Sequence, residues 1–287
     1  MDSVRLGEEQ FGQRFRRLLL PIQIDRRILI WNLTDLPTGS KSSDTEGIHR
    51  MNQRSRLASL QAAILADTVG PLSPGARVLD LGCGNGDLVQ QWLDLGYDAY
   101  GCDFKFKPGP LVDPLQQSDR ISLIARAPYR IPFADDSFDL LVTQQVMEHV
   151  KDYPTTLAET KRVLKPGGHA LHMFPARLVP IEPHTHVPLA TVVRFPLWLA
   201  AWAKLGVRSP SQAGMPWQEV LRRNQTYLAN RTNYLSGVAL KREFSAHFED
   251  VRFVERHFLK NSPNRRGRMM ARLGEALPPL FNLYRCF

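Results

Sequence analysis

The chain has 287 residues, 43% of them hydrophobic, which is enough to bury a sizeable core. Its formal charge of +9 at pH 7, from 37 basic and 28 acidic residues, favours anionic partners. The basic excess is spread along the chain, however, and the simplest interpretation of the arginines near the two ends is that they are solvent-exposed. The three cysteines, Cys83, Cys102 and Cys286, have no paired spacing, which argues against a zinc ribbon or a disulfide framework. We therefore expect a cytoplasmic protein in a reducing environment.

The sequence before residue 50 contains an apolar stretch followed by a polar one. The stretch at 18–31 is interrupted by Asp25, Arg26 and Arg27 and falls short of the roughly 20 apolar residues that a transmembrane helix needs. Its leucines and isoleucines beside basic residues suit packing against the main domain, and they also suit peripheral contact with a lipid surface. The polar stretch at 37–47 is typical of a linker. We expect residues 1–49 to be an N-terminal extension.

From residue 57 onwards, helix and strand patterns alternate. Apolar residues at helical spacing predict a helix around 57–65. Strands are then predicted at 77–81, 98–102, 121–124, 138–143 and 169–174, and helices at about 87–95 and 154–164. Strands separated by helices imply right-handed crossovers and a parallel sheet. The sequence therefore predicts a doubly wound α/β fold.

A glycine-rich turn follows the first predicted strand. In VLDLGCGNGDL (78–88), Gly82, Gly84 and Gly86 occupy the strand-to-helix turn, where doubly wound folds contact small ligands. Glycine tolerates positive φ and lets a ligand approach the backbone closely. Such a turn alone does not separate nicotinamide, flavin and S-adenosylmethionine sites.

The acidic residues around this turn indicate which of the three candidate ligands fits it. The dinucleotide fingerprint needs a glycine at position 87, but Asp87 is an acid that repels pyrophosphate and also suits the N-terminus of a helix. Asp80 adds a negative charge, and Asp103, after the second strand, can accept both ribose hydroxyls. Phe104 is placed to cover an adenine face. A ligand with an ammonium and a sulfonium group and no phosphate fits best, which favours S-adenosylmethionine.

Four stretches between residues 77 and 175 carry a further pattern. They are VLDLGCGNGDL, GCDF, RIPFADDSFDLLVTQQVMEHV and ETKRVLKPGGHALHMFP. In this order and spacing they resemble the class I S-adenosylmethionine-dependent methyltransferases, particularly the small-molecule group called type 11. The resemblance implies a Rossmann-like, mostly parallel sheet of seven strands. The cofactor-binding residues that we predict are Asp80, Gly82, Cys83, Gly84, Gly86, Asp103, Phe104, Ala127 and Gln144.

Two positions depend on this resemblance. Members of the family usually have an acid that contacts the adenine amino group, but Arg126, Ala127 and Pro128 stand in that neighbourhood here, so backbone groups or stacking must hold the adenine. By the same resemblance, Gln144 lies beside the cofactor, where its amide suits the methionine carboxylate or a substrate hydroxyl.

A Glu–His pair follows the fourth predicted strand. In this family, a pair such as Glu148 and His149 more often closes a local hydrogen-bond network than performs chemistry. We favour that structural role for the pair, and a catalytic role for His149 is the alternative.

After residue 175 the regular alternation stops. We expect residues 50–175 to form the cofactor-binding core, residues 176–233 an inserted helical cap above the carboxyl edge of the sheet, and residues 234–287 the rest of the core. A helix and the sixth strand are predicted within 234–256, and the seventh strand or a tail at 283–287. The apolar residues of the insertion suit the core of the cap, an apolar pocket or a membrane-facing surface; they are Phe195, Leu197, Trp198, Leu199, Trp202, Leu205, Trp217 and Tyr227.

The insertion opens with PIEPHTHVP, residues 180–188. The prolines predict an extended chain, which would turn Glu182, His184 and His186 toward one side. Three such groups suit a hydrogen-bonded loop anchor, a general base with its orienting partners, or a metal site. Because a metal usually requires a further ligand from elsewhere, we predict no metal and take His184 and His186 as the candidate catalytic residues.

These observations favour an enzyme that moves a methyl group from S-adenosylmethionine to oxygen, nitrogen or carbon of a small, apolar metabolite. Two alternatives stay open: an RNA-modifying methyltransferase whose basic termini grip phosphates, and a catalytically silent protein that binds the cofactor. No NPPY-like tetrad follows the fourth strand and no RNA-binding module is recognisable, so the expected partner is a small methyl acceptor and not a nucleic acid. Only hydroxyl or amine acceptors need proton removal, for which one histidine suffices.

Overall fold

A computed structural model of the chain describes residues 56–262 together with residues 268, 269, 271, 272 and 274. The predicted extension at 1–49 and the predicted strand or tail at 283–287 lie outside these residues. Cys286 also lies outside them, whereas Cys83 and Cys102 are free, buried thiols.

Helices and strands alternate along the described part of the chain. In chain order the elements are α1 (Arg56–Thr68), β1 (Arg77–Leu81), α2 (Asp87–Asp94), β2 (Asp98–Asp103), α3 (Val112–Gln117), β3 (Ile121–Leu123), β4 (Ala125–Arg126), β5 (Tyr129–Arg130), β6 (Phe138–Gln144), a 3-10 turn (Met147–His149), α4 (Tyr153–Val163), β7 (Leu164–Met173), α5 (Pro196–Lys204), a second 3-10 turn (Pro210–Gln212), α6 (Trp217–Asn230), α7 (Gly237–Ser245) and α8 (Glu255–Lys260).

Five of the strands form one parallel sheet in the order β3-β2-β1-β6-β7. The doubly wound α/β fold with a parallel sheet is therefore confirmed. β1 has the predicted bounds, and the other four end within one residue of the predicted position. β7 begins five residues earlier than predicted, because Leu164 already pairs with Phe138 before the register shifts. β4 and β5 form a separate antiparallel pair.

Apolar clusters cover both faces of the sheet. Val78 of β1 packs on one face with Ile64 of α1 and Trp92 of α2. Leu79, the next residue, packs on the other face with Val163 of α4. A parallel sheet needs this arrangement because its crossover helices leave neither face to solvent, which explains the nearly continuous apolar run of β1.

Strand order reverses between β1 and β6. The chain runs from β1 outward to β2 and β3 and then returns to pair β6 with the other side of β1. In doubly wound folds the crevice beyond the carboxyl ends of such strands is where ligands bind. The glycine-rich turn after β1 and the polar end of β6 both open at this edge.

The structure does not confirm a seven-stranded sheet. The strand predicted within 234–256 is wrong, because α7 is followed by irregular chain at 251–254 and then by α8. The apolar residues there are explained by packing alone: Val254 is buried in the cluster that includes α1, and Phe253 packs against the cluster that includes α7. An apolar run thus need not pair as a strand to be buried.

The segment 176–233 contains two helices that pack on each other. Leu199 of α5 and Leu228 of α6 are buried in one cluster, with Trp198 and Trp202 against it. Several apolar residues of the segment stay outside this cluster; Leu197 is 80% exposed. Among the described residues, no helix is long and apolar enough to span a bilayer.

Candidate active site

The glycine-rich turn adopts a conformation that only glycine accommodates easily. Gly82, Gly84 and Gly86 have φ of +87°, +57° and +82°. A Cβ on Gly82 would clash with Cγ2 of Val146, which lies between β6 and the 3-10 turn. The Gly84 amide donates a hydrogen bond of 2.9 Å to Oδ2 of Asp103 at the end of β2. The turn is therefore connected to both neighbouring strand ends.

Two carboxylates lie beside this turn. Asp80 is only 3% exposed, and its Oδ1 has no hydrogen-bond partner among the described residues. Burial, together with the negative charge of Asp103, raises the pKa of Asp80 to about 8. A buried carboxylate without a partner is costly, so this turn is electrostatically suited to a cationic ligand.

Cys83 and Phe104 also belong to the predicted cofactor site. Burial raises the pKa of the Cys83 thiol, so this residue is a small apolar group at neutral pH and not a nucleophile. Phe104 is 40% exposed, and the guanidinium of Arg126 lies 4.3 Å from its ring centroid. Phe104 is therefore accessible for stacking, although Arg126 already covers part of it. Ala127 lies exposed between β4 and β5.

Gln144 ends β6 at the same edge of the sheet. Its side-chain Oε1 is buried and has no hydrogen-bond partner in the described part of the chain. This free acceptor beside the turn suits a ligand ammonium or hydroxyl.

The PIEPHTHVP segment forms a closed turn, so the predicted extended chain is wrong. The Glu182 amide donates to the carbonyl of Val187, and the His186 amide donates to the carbonyl of Glu182. The buried Glu182 carboxylate gathers donors from its own neighbours: His184 Nδ1 at 2.8 Å, the backbone amide of Thr185 and the Thr185 hydroxyl at 2.8 Å. Proline restricts φ only at its own position, and these hydrogen bonds bend the chain between the prolines.

A hydroxyl from a distant segment completes the surroundings of Glu182. Tyr234 donates to Oε1 of Glu182 at 2.8 Å. Burial raises the pKa of Glu182, but the hydrogen bonds from His184 and Thr185 outweigh it and bring the pKa to about 2. Glu182 is therefore charged and holds a proton of His184 on Nδ1.

His184 meets Glu148 and His149, and we call these three residues the Glu–His corner. One ligand atom from each residue lies within 4.8 Å of those of the other two. The rings of His149 and His184 are 5.0 Å apart between centroids, and Tyr227 of α6 lies 5.3 Å from His184. The structure thus brings His184 to the residues that follow β6, and this group does not include His186.

The interpretation of Glu148 as part of a local hydrogen-bond network is wrong. Glu148 is fully buried, and neither carboxylate oxygen has a hydrogen-bond partner among the described residues. Burial raises its pKa to about 7. His149 instead bonds across the fold, its Nδ1 donating to the carbonyl of Arg231 at 2.6 Å. Burial lowers the pKa of His149, so its ring is neutral near pH 7.

The Glu–His corner lies next to the glycine-rich turn. Val146, two residues before Glu148, contacts Gly82. Lys107 covers the other side of the turn, with Nζ 3.8 Å from the position of a Gly84 Cβ, and its charge also acts on His149. Sequence patterns did not indicate Lys107, because it lies in the irregular chain between β2 and α3.

A protein-family model described as a methyltransferase domain, of type 11, matches residues 79–172. Residues 79–172 form a methyltransferase domain. This match runs from the middle of β1 through most of β7 and includes the glycine-rich turn, Asp103, Glu148 and His149, whereas His184 lies beyond it.

Curated relatives that match part of the chain are also named methyltransferases. The chain is 36% identical to a demethylmenaquinone methyltransferase of Renibacterium salmoninarum over 105 residues, which are 37% of this chain and 43% of the relative. It is 29% identical to a ubiquinone biosynthesis O-methyltransferase of Xanthomonas euvesicatoria over 192 residues, with coverages of 56% and 75%. The chain spans less than half the length of the first curated relatives that it matches.

A solved structure is also similar to the methyltransferase domain. A TehB-like S-adenosylmethionine-dependent methyltransferase of Corynebacterium glutamicum matches with 27% identity and a TM-score of 0.32, over 45% of this chain and 74% of that one.

S-adenosylmethionine is the cofactor that the sequence predicts for this domain. The residues around the turn fit this molecule. The unpaired Asp80 attracts its cationic groups, Asp103 is available to its ribose, and the glycines admit it to the backbone.

Proposed function

We propose that the protein transfers the methyl group of S-adenosylmethionine to a hydroxyl oxygen of a small, apolar metabolite. The buried, unpartnered Asp80 beside Asp103 at the glycine-rich turn carries this proposal. A dinucleotide would bring negative phosphates to this turn, whereas S-adenosylmethionine brings positive charge.

Nine residues are proposed to hold the cofactor, and they lie at the ends of β1, β2 and β6 and in the β4–β5 turn. They are Asp80, Gly82, Cys83, Gly84, Gly86, Asp103, Phe104, Ala127 and Gln144. The reactive methyl group would then face the polar end of β6, beside the Glu–His corner.

The acceptor is proposed to lie at the Glu–His corner, with His184 as the catalytic residue. The acceptor oxygen forms a bond to the methyl carbon while the carbon–sulfur bond breaks, and the sulfonium becomes a neutral thioether. The hydroxyl proton must leave, and the Nε2 of His184 is the free basic group that Glu182 orients. His186, the other candidate, lies in the same turn but outside this group.

Two observations support an apolar acceptor. The relatives described above are named for demethylmenaquinone and for ubiquinone biosynthesis, and the ring of Tyr227 borders that of His184. We propose that the segment 176–233, with α5 and α6, is the part of the chain that covers the acceptor and selects it.

Calorimetric titration with S-adenosylmethionine tests the cofactor assignment. Replacing Asp103 with alanine removes a charge-assisted bond to the ribose, so affinity should fall by about 1 to 3 kcal/mol. Asp113→Ala is the matched control, because Asp113 is an exposed acid on α3 and should leave affinity unchanged.

Two outcomes would overturn parts of the proposal. Binding of NAD or FAD without binding of S-adenosylmethionine would refute the whole assignment. Binding of S-adenosylmethionine with no transfer of labelled methyl groups to any of a panel of apolar phenols and quinols would instead support a silent cofactor-binding protein.

A further inference from the structure

The Glu–His corner has the features of a metal site that the sequence did not indicate. Its Glu148 carboxylate is fully buried without a hydrogen-bond partner among the described residues, although such a group needs a hydrogen bond or a cation. The Nε2 of His149 lies 3.9 Å from Oε1 of Glu148, too far for a hydrogen bond.

Both histidines have the tautomer that metal binding requires. A carbonyl oxygen can only accept, so the bond to Arg231 places the proton of His149 on Nδ1. The charged Glu182 does the same for His184 at 2.8 Å. Each ring, when neutral, therefore has its lone pair on Nε2. Metal-binding histidines almost always donate their other N–H to a carboxylate or a backbone carbonyl in this way.

The distances are close to those of a bound ion. Metal–nitrogen and metal–oxygen bonds of about 2.0–2.2 Å put neighbouring ligand atoms roughly 3 to 4 Å apart. The three ligand atoms here already lie within 4.8 Å of one another, and the pair from Glu148 and His149 is at 3.9 Å.

We propose that Glu148, His149 and His184 bind one divalent transition-metal ion. Two imidazole nitrogens and one carboxylate oxygen suit Zn²⁺, Fe²⁺ or Co²⁺ and do not suit Mg²⁺, which prefers oxygen ligands. Three protein ligands leave coordination positions open for water or for the acceptor. This set differs from the three residues expected from PIEPHTHVP, since Glu182 lies behind His184 as its orienting partner.

The role of the ion rests on the proposed function. An acceptor hydroxyl bound to the ion ionises more readily, as metal-bound water does. Its proton passes to solvent, and the anionic oxygen then forms the bond to the methyl carbon as the carbon–sulfur bond breaks. His184 would in that case promote proton loss by holding the ion.

Titration of the purified full chain with Co²⁺, in the absence of cofactor and acceptor, tests the site. We expect one equivalent to bind with visible d–d absorption bands, and millimolar Mg²⁺ not to displace it. His184→Ala and His149→Ala should each weaken binding more than 100-fold. Glu182→Gln should weaken it 10- to 100-fold, because it removes only the orienting charge.

His186→Ala is the matched control, since His186 lies two residues from His184 and outside the ligand group. It should bind Co²⁺ like the wild type. Circular dichroism of each variant shows whether lost binding reflects lost folding, and Glu182→Gln and His149→Ala provide two further variants if His184→Ala does not fold.

Three results would overturn the metal site: no d–d bands, displacement by Mg²⁺, or equal losses in His184→Ala and His186→Ala. Since the titration contains no S-adenosylmethionine, its failure leaves the proposed function standing. Conversely, Co²⁺ binding without cofactor binding would refute the proposed function and leave the metal site.

Discussion

The glycine-rich turn and the Glu–His corner lie side by side but arise in different ways. The turn is built from consecutive residues, and its hydrogen bonds to Cys102 and Asp103 join neighbouring parallel strands in their expected register. The corner joins residues after β6 to a turn beyond β7, and its orienting partners come from still farther along the chain.

The difference shows which kinds of site sequence patterns can find. The turn can be predicted from the local sequence, because positive φ at alternate positions requires glycine there. Nothing local requires His184 to meet Glu148, because that contact depends on where a closed turn packs in the folded protein.

If the two regions have separate roles, changing the Glu–His corner should affect chemistry and not cofactor binding. We expect His184→Ala to lower the rate of methyl transfer about 10²- to 10⁴-fold, the usual contribution of a group that assists proton transfer. The dissociation constant of S-adenosylmethionine should stay within about twofold of the wild type. Single-turnover kinetics and calorimetry on the same preparations measure the two quantities.

If His184→Ala also loses affinity for S-adenosylmethionine, the glycine-rich turn and the Glu–His corner do not have separate roles. His186→Ala is the comparison for the rate, and a loss as large as that of His184→Ala would move the catalytic role to His186.

The contact between the two regions can be tested at Gly82. Alanine there suffers strain at φ +87° and also a clash with Val146, so we expect a loss of roughly 2 to 5 kcal/mol of unfolding free energy. Gly96→Ala is matched in strain, at φ +85°, but its Cβ would have open space, so about 1 to 2 kcal/mol is expected. Urea denaturation followed by circular dichroism measures both.

The double variant Gly82→Ala with Val146→Ala isolates the clash. The double variant should lose less unfolding free energy than the two single variants lose in sum, because the shortened side chain at position 146 leaves room for the Cβ added at position 82. Strict additivity would mean that the turn and the chain after β6 are not in direct contact.

The smallest expected effect is the pH dependence of the affinity for S-adenosylmethionine, which we attribute to Asp80 beside the turn. Asp80 has a pKa of about 8 without ligand, so below that pH it is largely neutral and must lose a proton when a cationic ligand binds. Affinity for S-adenosylmethionine should therefore rise about tenfold from pH 7 to pH 9, as estimated from the one-unit offset, and then level off. Calorimetry across this range, with Asp80→Asn as the control, checks it.

The affinity of Asp80→Asn for S-adenosylmethionine should be the same at pH 7 and pH 9, because this variant lacks the titrating carboxylate. If Asp80→Asn keeps the same slope as the wild type, the titrating group is elsewhere, and Asp80 does not provide the charge that attracts the cofactor.

Sequence patterns predicted the sheet better than the parts attached to it. The strands beside the glycine-rich turn were placed within one residue at their carboxyl ends, because apolar runs of strand length between helical stretches leave few other arrangements. The strand predicted before residue 256 failed, because burial of Val254 against a helix produces the same apolar signal as strand pairing.

The Glu–His corner was only partly anticipated. The sequence indicates two unrelated groups, Glu148 with His149 and Glu182 with His184 and His186. Glu182 and His184 were expected to share a side through alternation, and they meet instead because the turn wraps around the buried carboxylate. Lys107 gave no signal, since a lysine in irregular chain is normally solvated.

The sequence by itself determined the parallel sheet, the glycine-rich turn and the acids that select a cationic cofactor, because backbone sterics, apolar periodicity and charge act over a few residues. Only the tertiary structure decided that one ligand atom from each of Glu148, His149 and His184 lies within 4.8 Å of the other two. That arrangement depends on packing between segments far apart in the chain, and on hydrogen bonds from Arg231 and Glu182 that no local pattern encodes.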